Sequence, residues 1–547
     1  MMSRDCQQMI RGQSEKPPER AESQTLTDYA ETLSDWYVRH QSLDYRKKRG
    51  QYFTPKRVSE FMAQLVDDIH ADKELRILDP GAGVGNFESA LCEHAKLRTT
   101  KVHLSFDLYE DCQDMIPLLE MNMRACRKSM AQEGIDISYR ILKENFILAR
   151  AAEFLGQTSN RKYSDEFLYD LVICNPPYHK LKKNSSEAVA MKTIVKGQPN
   201  IYVLFMAMGA KLVRDGGQLV ILTPRSYCSG TYFSEFRKWF FGQITPVRLH
   251  EFESRRLLKT DPVLQEMVIL KGKKGCERPD NITISVSYQE PKGTEELTEI
   301  KVPFNTVVVS RDEDVRIQIP ATKTEELVIE QVERLPFTLT SLGFKASTGP
   351  VVPFRAKEYL LNTMQGGGGC APLIWMENID AGKVFWPSLT QKNEKPMALS
   401  LGEKTSRLCI PDSNYVLIKR FSVKEGKRRI NAGVLIRGWL NTPLIAVENH
   451  VNYIHKIGGD LTEDEAYGLA KILNSTLYNL YTQASNGSTQ VNASELNVIP
   501  LPSSEVITTI GRYVRSSKTG ESVASQRFTM MAIGIESPII DLLLGDH

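Results

Sequence analysis

The tetrapeptide Asn175-Pro176-Pro177-Tyr178 directly follows the apolar run LVIC. In an open α/β sheet ligands bind outside the carboxyl ends of the strands, so chemistry is expected at this point. Two prolines hold φ at about −65° and remove two backbone donors, and Asn175, preceding a proline, is pushed out of the helical region. The result is a stiff loop that offers acceptors. The Asn175 side-chain oxygen and the Pro176 carbonyl can together accept both hydrogens of a planar amino group whose lone pair is otherwise delocalised into a ring. Accepting them favours a pyramidal, nucleophilic nitrogen. Tyr178 adds an aromatic face, on which a stacked base is worth roughly 1–3 kcal/mol. A bare Pro-Pro would read as a turn closing a strand; the full tetrapeptide in this setting reads as catalytic.

A second feature is Asp79-Pro80-Gly81-Ala82-Gly83-Val84-Gly85-Asn86-Phe87, placed after the run RIL. Alternate glycines let backbone approach a ligand at a strand-to-helix turn, and their spacing is not that of the dinucleotide fingerprint. Asp107, at the end of the next apolar run, is the residue expected to accept from both hydroxyls of a ribose, with Glu110 as the alternative. A nucleoside ligand fits this pattern best. Upstream, Gly50-Gln51-Tyr52-Phe53-Thr54-Pro55 reads locally as a loop entering a helix, with Thr54 as its cap and Pro55 at its first position.

In that order, GQYFTP, DPGAGVGNF, an acid after the second strand, NPPY and GGQLVILTPRSY resemble the gamma-class amino-methyltransferases that modify DNA adenine at N6, the TaqI-like enzymes of type II restriction–modification systems. The resemblance implies S-adenosyl-L-methionine as methyl donor. Tyr52, Thr54 and Pro55 would lie near its methionine end, Asp79, Gly81, Gly83, Gly85, Asn86 and Phe87 around its centre, and Asp107 on its ribose. It also makes NPPY the catalytic loop and, against the SPPY version that accompanies cytosine, favours adenine. Two departures stand out. Asn145-Phe146 replaces the usual acid before phenylalanine, so the contact to the cofactor's adenine would be amide-mediated, with Phe146 packing on the ring. The aromatic expected to help hold an extruded base aligns with Leu258, which leaves stacking to Tyr178.

The second half is similar to the target-recognition domains of such enzymes in STGPVVPFR, AVENHVNYIH and NGSTQVNASELNVIPLP. Lys419, Arg420, Lys424, Lys427, Arg428 and Arg429 form a basic run suited to phosphate contacts. Asn449, Asn452, Gln490 and Asn492 are residue types that pair with adenine edges.

These residues need a scaffold. RILDPGAG, KVHLSFDLYE, YDLVICNPPY and GGQLVILTP are each followed by helical periodicity, which predicts βαβ units and a mostly parallel, doubly wound Rossmann-like sheet. Leu26, Tyr29, Leu33, Trp36 and Tyr37 have the spacing of a preceding amphipathic helix. KGKKGCERP marks the expected boundary. The domains are therefore expected at 1–24 (disordered leader), 25–275 (methyltransferase), 276–515 (α+β target recognition) and 516–547 (polar tail).

The 547 residues carry a net charge of +3 and 25% charged residues, with a mean hydropathy of −0.30, which excludes a strongly basic nucleic-acid coat and a disordered chain. Nine scattered cysteines without a CxxC pair argue against a disulfide framework or zinc knuckle. No metal site is expected. The polar start and the lack of a long apolar run point to a cytoplasmic, non-membrane protein, expected to act as a monomer on double-stranded DNA. Too few residues precede Gly50 for the roughly 100-residue domain a nuclease would need, so cleavage would belong to a separate cognate restriction endonuclease. The alternatives are an N-methyltransferase of the same fold acting on RNA or protein glutamine, or a non-catalytic DNA-recognition subunit.

Overall fold

The computed structural model describes residues 16–67, 74–98, 102–154, 168–195, 199–254, 266–288, 290, 297–311, 314–364, 369–380, 382–387, 395–421, 428–485, 490–517 and 522–545. It divides into two compact units, one of residues 1–228 and 232–319, the other of 229–231 and 320–547.

Unit one opens with three helices, α1 (Leu26–His40), α2 (Leu43–Arg49) and α3 (Lys56–Gln64). Alternation then begins: β1 (Glu74–Asp79), α4 (Asn86–Arg98), β2 (His103–Tyr109), α5 (Ile116–Gln132), β3 (Asp136–Leu142), α6 (Phe146–Phe154) and β4 (Tyr169–Cys174). After α7 (Ser186–Ala190) and α8 (Ile201–Leu212) come β5 (Val213–Pro224), α9 (Ser234–Phe241), β6 (Ile244–Phe252), β7 (Met267–Lys274), β8 (Asn281–Ser287) and β9 (Thr298–Pro303). The nine strands form one sheet in the order β3-β2-β1-β4-β5-β7-β6-β8-β9. The first five are parallel to their neighbours, and β7 runs antiparallel to both β5 and β6. The expected α/β fold is the one observed.

Both faces of the sheet are covered, which is why its central strands read as unbroken apolar runs. In β4, Leu171 and Ile173 join one core with α3, α4 and α5, while Val172 and Cys174 join the other with α8. Helix α8 is apolar on all sides because it is buried on all sides. The alternation also places the carboxyl ends of β1, β2 and β4 side by side, through Ile77↔Leu171 and Leu78↔Asp107.

Three boundaries differ from expectation. The domain division lies at Ile319 and Pro320, because β8 pairs in parallel with β6 and β9 closes on β8; KGKKGCERP is the end of β7 and the turn into β8, with Gly275 at φ +63°. The leader is described from Lys16, where the Pro18 carbonyl accepts from the Tyr29 hydroxyl at 3.1 Å. The 516–547 segment is not a tail but carries helices Val523–Ile533 and Ser537–Leu544, whose Met530, Ile533 and Ile540 belong to the core of unit two. A polar outer face hides that contribution in the sequence.

Unit two is α+β, with a six-stranded and a five-stranded sheet and helices packed on the former's core. Among the described residues no helix is long and apolar enough to cross a membrane, and all described cysteines are free thiols.

Since Met530 is fully buried, Met530→Ala should lower the unfolding free energy by about 2–5 kcal/mol. Denaturant titration checks this; a loss under about 0.5 kcal/mol, ordinary for a surface site, would return the segment to a peripheral tail.

Candidate active site

Asn175 leaves the end of β4 with its amide nitrogen fully engaged. Nδ2 donates to the Tyr52 carbonyl and to Thr54 Oγ1, each at 3.0 Å. A carbonyl can only accept, so the nitrogen must face Tyr52 and the oxygen must face away. The Tyr178 hydroxyl shares its single proton between that Oδ1 and the Leu222 carbonyl, and an amide oxygen keeps a second lone pair for another donor.

The GQYFTP segment is shaped to meet it. Gly50 ends α2 in the left-handed region at φ +66°, and a Cβ there would sit 2.9 Å from the Tyr178 backbone nitrogen. Only glycine satisfies both the turn and the close approach. Thr54 does not cap α3, as expected from the sequence; Pro55 is the capping residue and the threonine hydroxyl serves Asn175 instead. Asn86, at the start of α4, donates to the Thr54 carbonyl at 3.1 Å and so ties this segment to the glycine turn.

In the turn, Asp79 Oδ1 accepts from the Gly81 backbone at 2.9 Å, and Gly83, at φ +59°, donates its N–H to Glu110 at 3.1 Å. The turn is stitched to β2 by the Ala82 N–H on the Tyr109 carbonyl. A cavity of about 310 Å³ opens over it. Of the expected residues, Tyr52, Gly81, Gly83, Asn145, Phe146, Asn175 and Pro177 line the cavity. Thr54, Pro55, Asp79, Gly85, Asn86, Phe87, Pro176 and Tyr178 are not part of its lining. Phe87 is a core residue at 3% exposure, and Gly85 makes room for Asn122.

Asp107 also stands apart. It faces Arg140 across the β2–β3 pair, accepts two hydrogen bonds from that guanidinium and a third from the Tyr169 hydroxyl at 2.7 Å. Burial would raise its pKa, but these partners outweigh burial and hold it below the ordinary value. Of the two acids the sequence offered for a ribose, the one that lines the cavity is Glu110, one residue past the strand end and pushed up to about 7 by burial against the N–H groups of Cys112 and Gly83. Sequence reading named Glu110 only as the alternative. It missed Glu187, which lines the cavity and whose carboxylate accepts from Asn145 Nδ2 at 3.4 Å; a position in the one-turn helix α7 with no motif around it carried no signal.

A family model described as Eco57I restriction-modification methylase matches residues 89–257. The chain is 33% identical over 507 residues to the type II methyltransferase M.BsuBI of Bacillus subtilis, covering 92% of this chain and 96% of that one. It is 33% identical over 471 residues to M.PstI of Providencia stuartii, covering 86% and 90%. The chain belongs to the type II restriction–modification methyltransferases. Among solved structures, the type IIL restriction-modification enzyme MmeI in complex with DNA shares the fold, with a TM-score of 0.52 and 12% identity over 95% of this chain and 79% of that one.

For a methyltransferase with this cavity, unit two holds fewer of the expected contact residues at its surface than the sequence suggested. Lys419, Arg420 and Arg428 are half-buried, and the Arg420 guanidinium bonds the Asn449 carbonyl at 3.2 Å and the Gln490 side chain at 3.4 Å. Arg429 is 4% exposed and is no surface cation. Asn452 is fully buried, donating to the Val491 carbonyl at 2.6 Å, and Asn492 caps the helix Ala493–Asn497. Lys424, Lys427 and Leu258 lie outside the described residues.

Beneath the glycine turn, Asp79 and Glu88 are both fully buried. Their carboxyls bond each other only when one is protonated; burial and then their mutual charge raise Asp79 well above its ordinary value, and burial pushes Glu88 up to about 8. The folded methyltransferase therefore keeps protons that the unfolded chain has lost. The stability present below a glutamate's ordinary value of 4.5 drains as pH rises toward about 8. Glu88→Gln removes one titration, so its melting temperature relative to wild type should climb between about pH 5 and about pH 8. A difference that is flat across that window would contradict the protonated pair.

Proposed function

We propose that the chain is a site-specific DNA methyltransferase that moves the methyl group of S-adenosylmethionine to N6 of an adenine extruded from double-stranded DNA. The observation that carries this reading is the amide of Asn175. With Nδ2 held by Tyr52 and Thr54, Oδ1 presents an acceptor beside the cavity, where it meets an amino group and would repel a carbonyl. An amide already held in this orientation costs nothing to reorganise when charge develops on the amino nitrogen.

The cavity suits the donor. Glu110 offers the acceptor a ribose needs, the open Gly81–Gly83 backbone lets a nucleoside approach, and Phe146 and Phe205 form an apolar face for a base. Bound there, S-adenosylmethionine supplies an electrophilic methyl group on a sulfonium centre. The protein's own part is positioning. Asn175 and the Pro176 carbonyl hold the amino group and draw its lone pair out of the ring, and no strong base is required because the proton becomes acidic only once the nitrogen carries positive charge. Tyr178 stacks on the base, which offsets the few kcal/mol that extrusion costs. Lys419, Arg420 and Arg428 would hold phosphates. Cleavage of unmodified DNA would fall to a separate endonuclease of the same system.

Asn175→Ala should reduce transfer of labelled methyl groups to DNA by roughly 100- to 1,000-fold or more while sparing DNA affinity; retained transfer would remove the mechanism. Since Glu110 offers both oxygens as charged acceptors to the ribose hydroxyls only when ionised, cofactor affinity should rise with pH through about 7 and become flat and weaker in Glu110→Gln. Calorimetric titration checks this, and an identical pH profile in the variant would take Glu110 out of the site.

A further inference from the structure

The chemistry above uses only the backbone of Tyr52, whose carbonyl accepts from Asn175. Its ring lies nearly parallel to that of Tyr178, with 16° between the planes and 5.7 Å between the centroids. Other near-parallel pairs in the chain are closer, at 3.8 Å for Tyr513 and Phe528 and 4.1 Å for Trp36 and His40. Both residues bond the Asn175 amide, Tyr52 through its carbonyl to Nδ2 and Tyr178 through its hydroxyl to Oδ1. Tyr178 is the fixed member, bonded to Asn175 and to the Leu222 carbonyl and braced by the edge of Tyr202 at 6.4 Å. Tyr52 is half-buried and lines the cavity.

We infer that Tyr52 is the second wall of the slot that takes the extruded base, its ring stacking on the face opposite Tyr178. The inference rests on the base-extrusion reading. A planar base between two rings needs centroids roughly 7 Å apart, twice the ~3.4 Å stacking distance of nucleic acids, so the pair has to part by only about 1 Å, within reach of one side-chain rotation. The position that alignment offered for this role, Leu258, has no aromatic face to give. The sequence placed Tyr52 with the cofactor; the paired rings place its side chain with the base instead.

The test uses a duplex carrying the enzyme's own site with 5-iodouracil in place of the target base. Irradiation of the wild-type complex, digestion and mass spectrometry should find adducts on both Tyr178 and Tyr52. In parallel, Tyr52→Ala should lower kcat/KM for DNA by roughly 10- to 100-fold with the cofactor dissociation constant unchanged, and Tyr52→Phe should restore the wild-type rate. Adducts on Tyr178 without Tyr52, or a Tyr52→Ala variant that loses cofactor binding, would overturn the inference and leave extrusion standing. Wild-type protein that yields no adduct on either ring would bring down the extrusion reading and this inference with it.

Discussion

The orientation of one side-chain amide organises the catalytic unit. Asn175 lines the cavity, and an isolated asparagine has no reason to prefer one orientation of its amide over the flipped one. The Tyr52 carbonyl settles it, because a carbonyl accepts and cannot donate, and Thr54 adds a second acceptor for the same nitrogen. The bond joins residues more than a hundred positions apart, so it forms only if two distant loops are brought to the same place. The turn at Gly50, the stiffness of the two prolines and the Asn86 bond to the Thr54 carbonyl are the means of bringing them.

The acids of the unit sort by environment in the same way. Asp107 is neutralised by Arg140 across a strand pair and stabilises the sheet. Glu110 lies beyond the strand end, where the chain turns toward the cavity, and burial leaves it poised near neutrality. Asp79 and Glu88 lie deeper and hold a proton between them. Three carboxylates close to one glycine turn would repel each other if all were ionised. Holding one of them protonated lets the turn pack tightly without a compensating cation.

Much of this was legible in the sequence. The proline pair, the glycine turn and the unbroken apolar strands are local signals, and each predicted its own strand end correctly. What was not legible depends on register and pairing. Whether Asp107 or Glu110 enters the cavity turns on where β2 stops, a matter of one turn of the chain. The β8–β9 pair belongs to the first unit because β6 has a free edge for it, which no window around residue 275 reveals. Arg429 looked like the rest of a basic run yet is buried, since the chain has already turned into the strand that begins at Ala432. The helices after 522 contribute a few large side chains each, too few to stand out from a polar stretch.

If the Asn175 geometry selects an exocyclic amino group, the modified atom is N6 of an adenine in DNA. Single-molecule sequencing of plasmid DNA from cells expressing the chain tests it most directly. N6-methyladenine is expected at one position of one recurring sequence, present with the wild-type chain and absent from cells without it. DNA free of new modification, or methylated at cytosine, would contradict it.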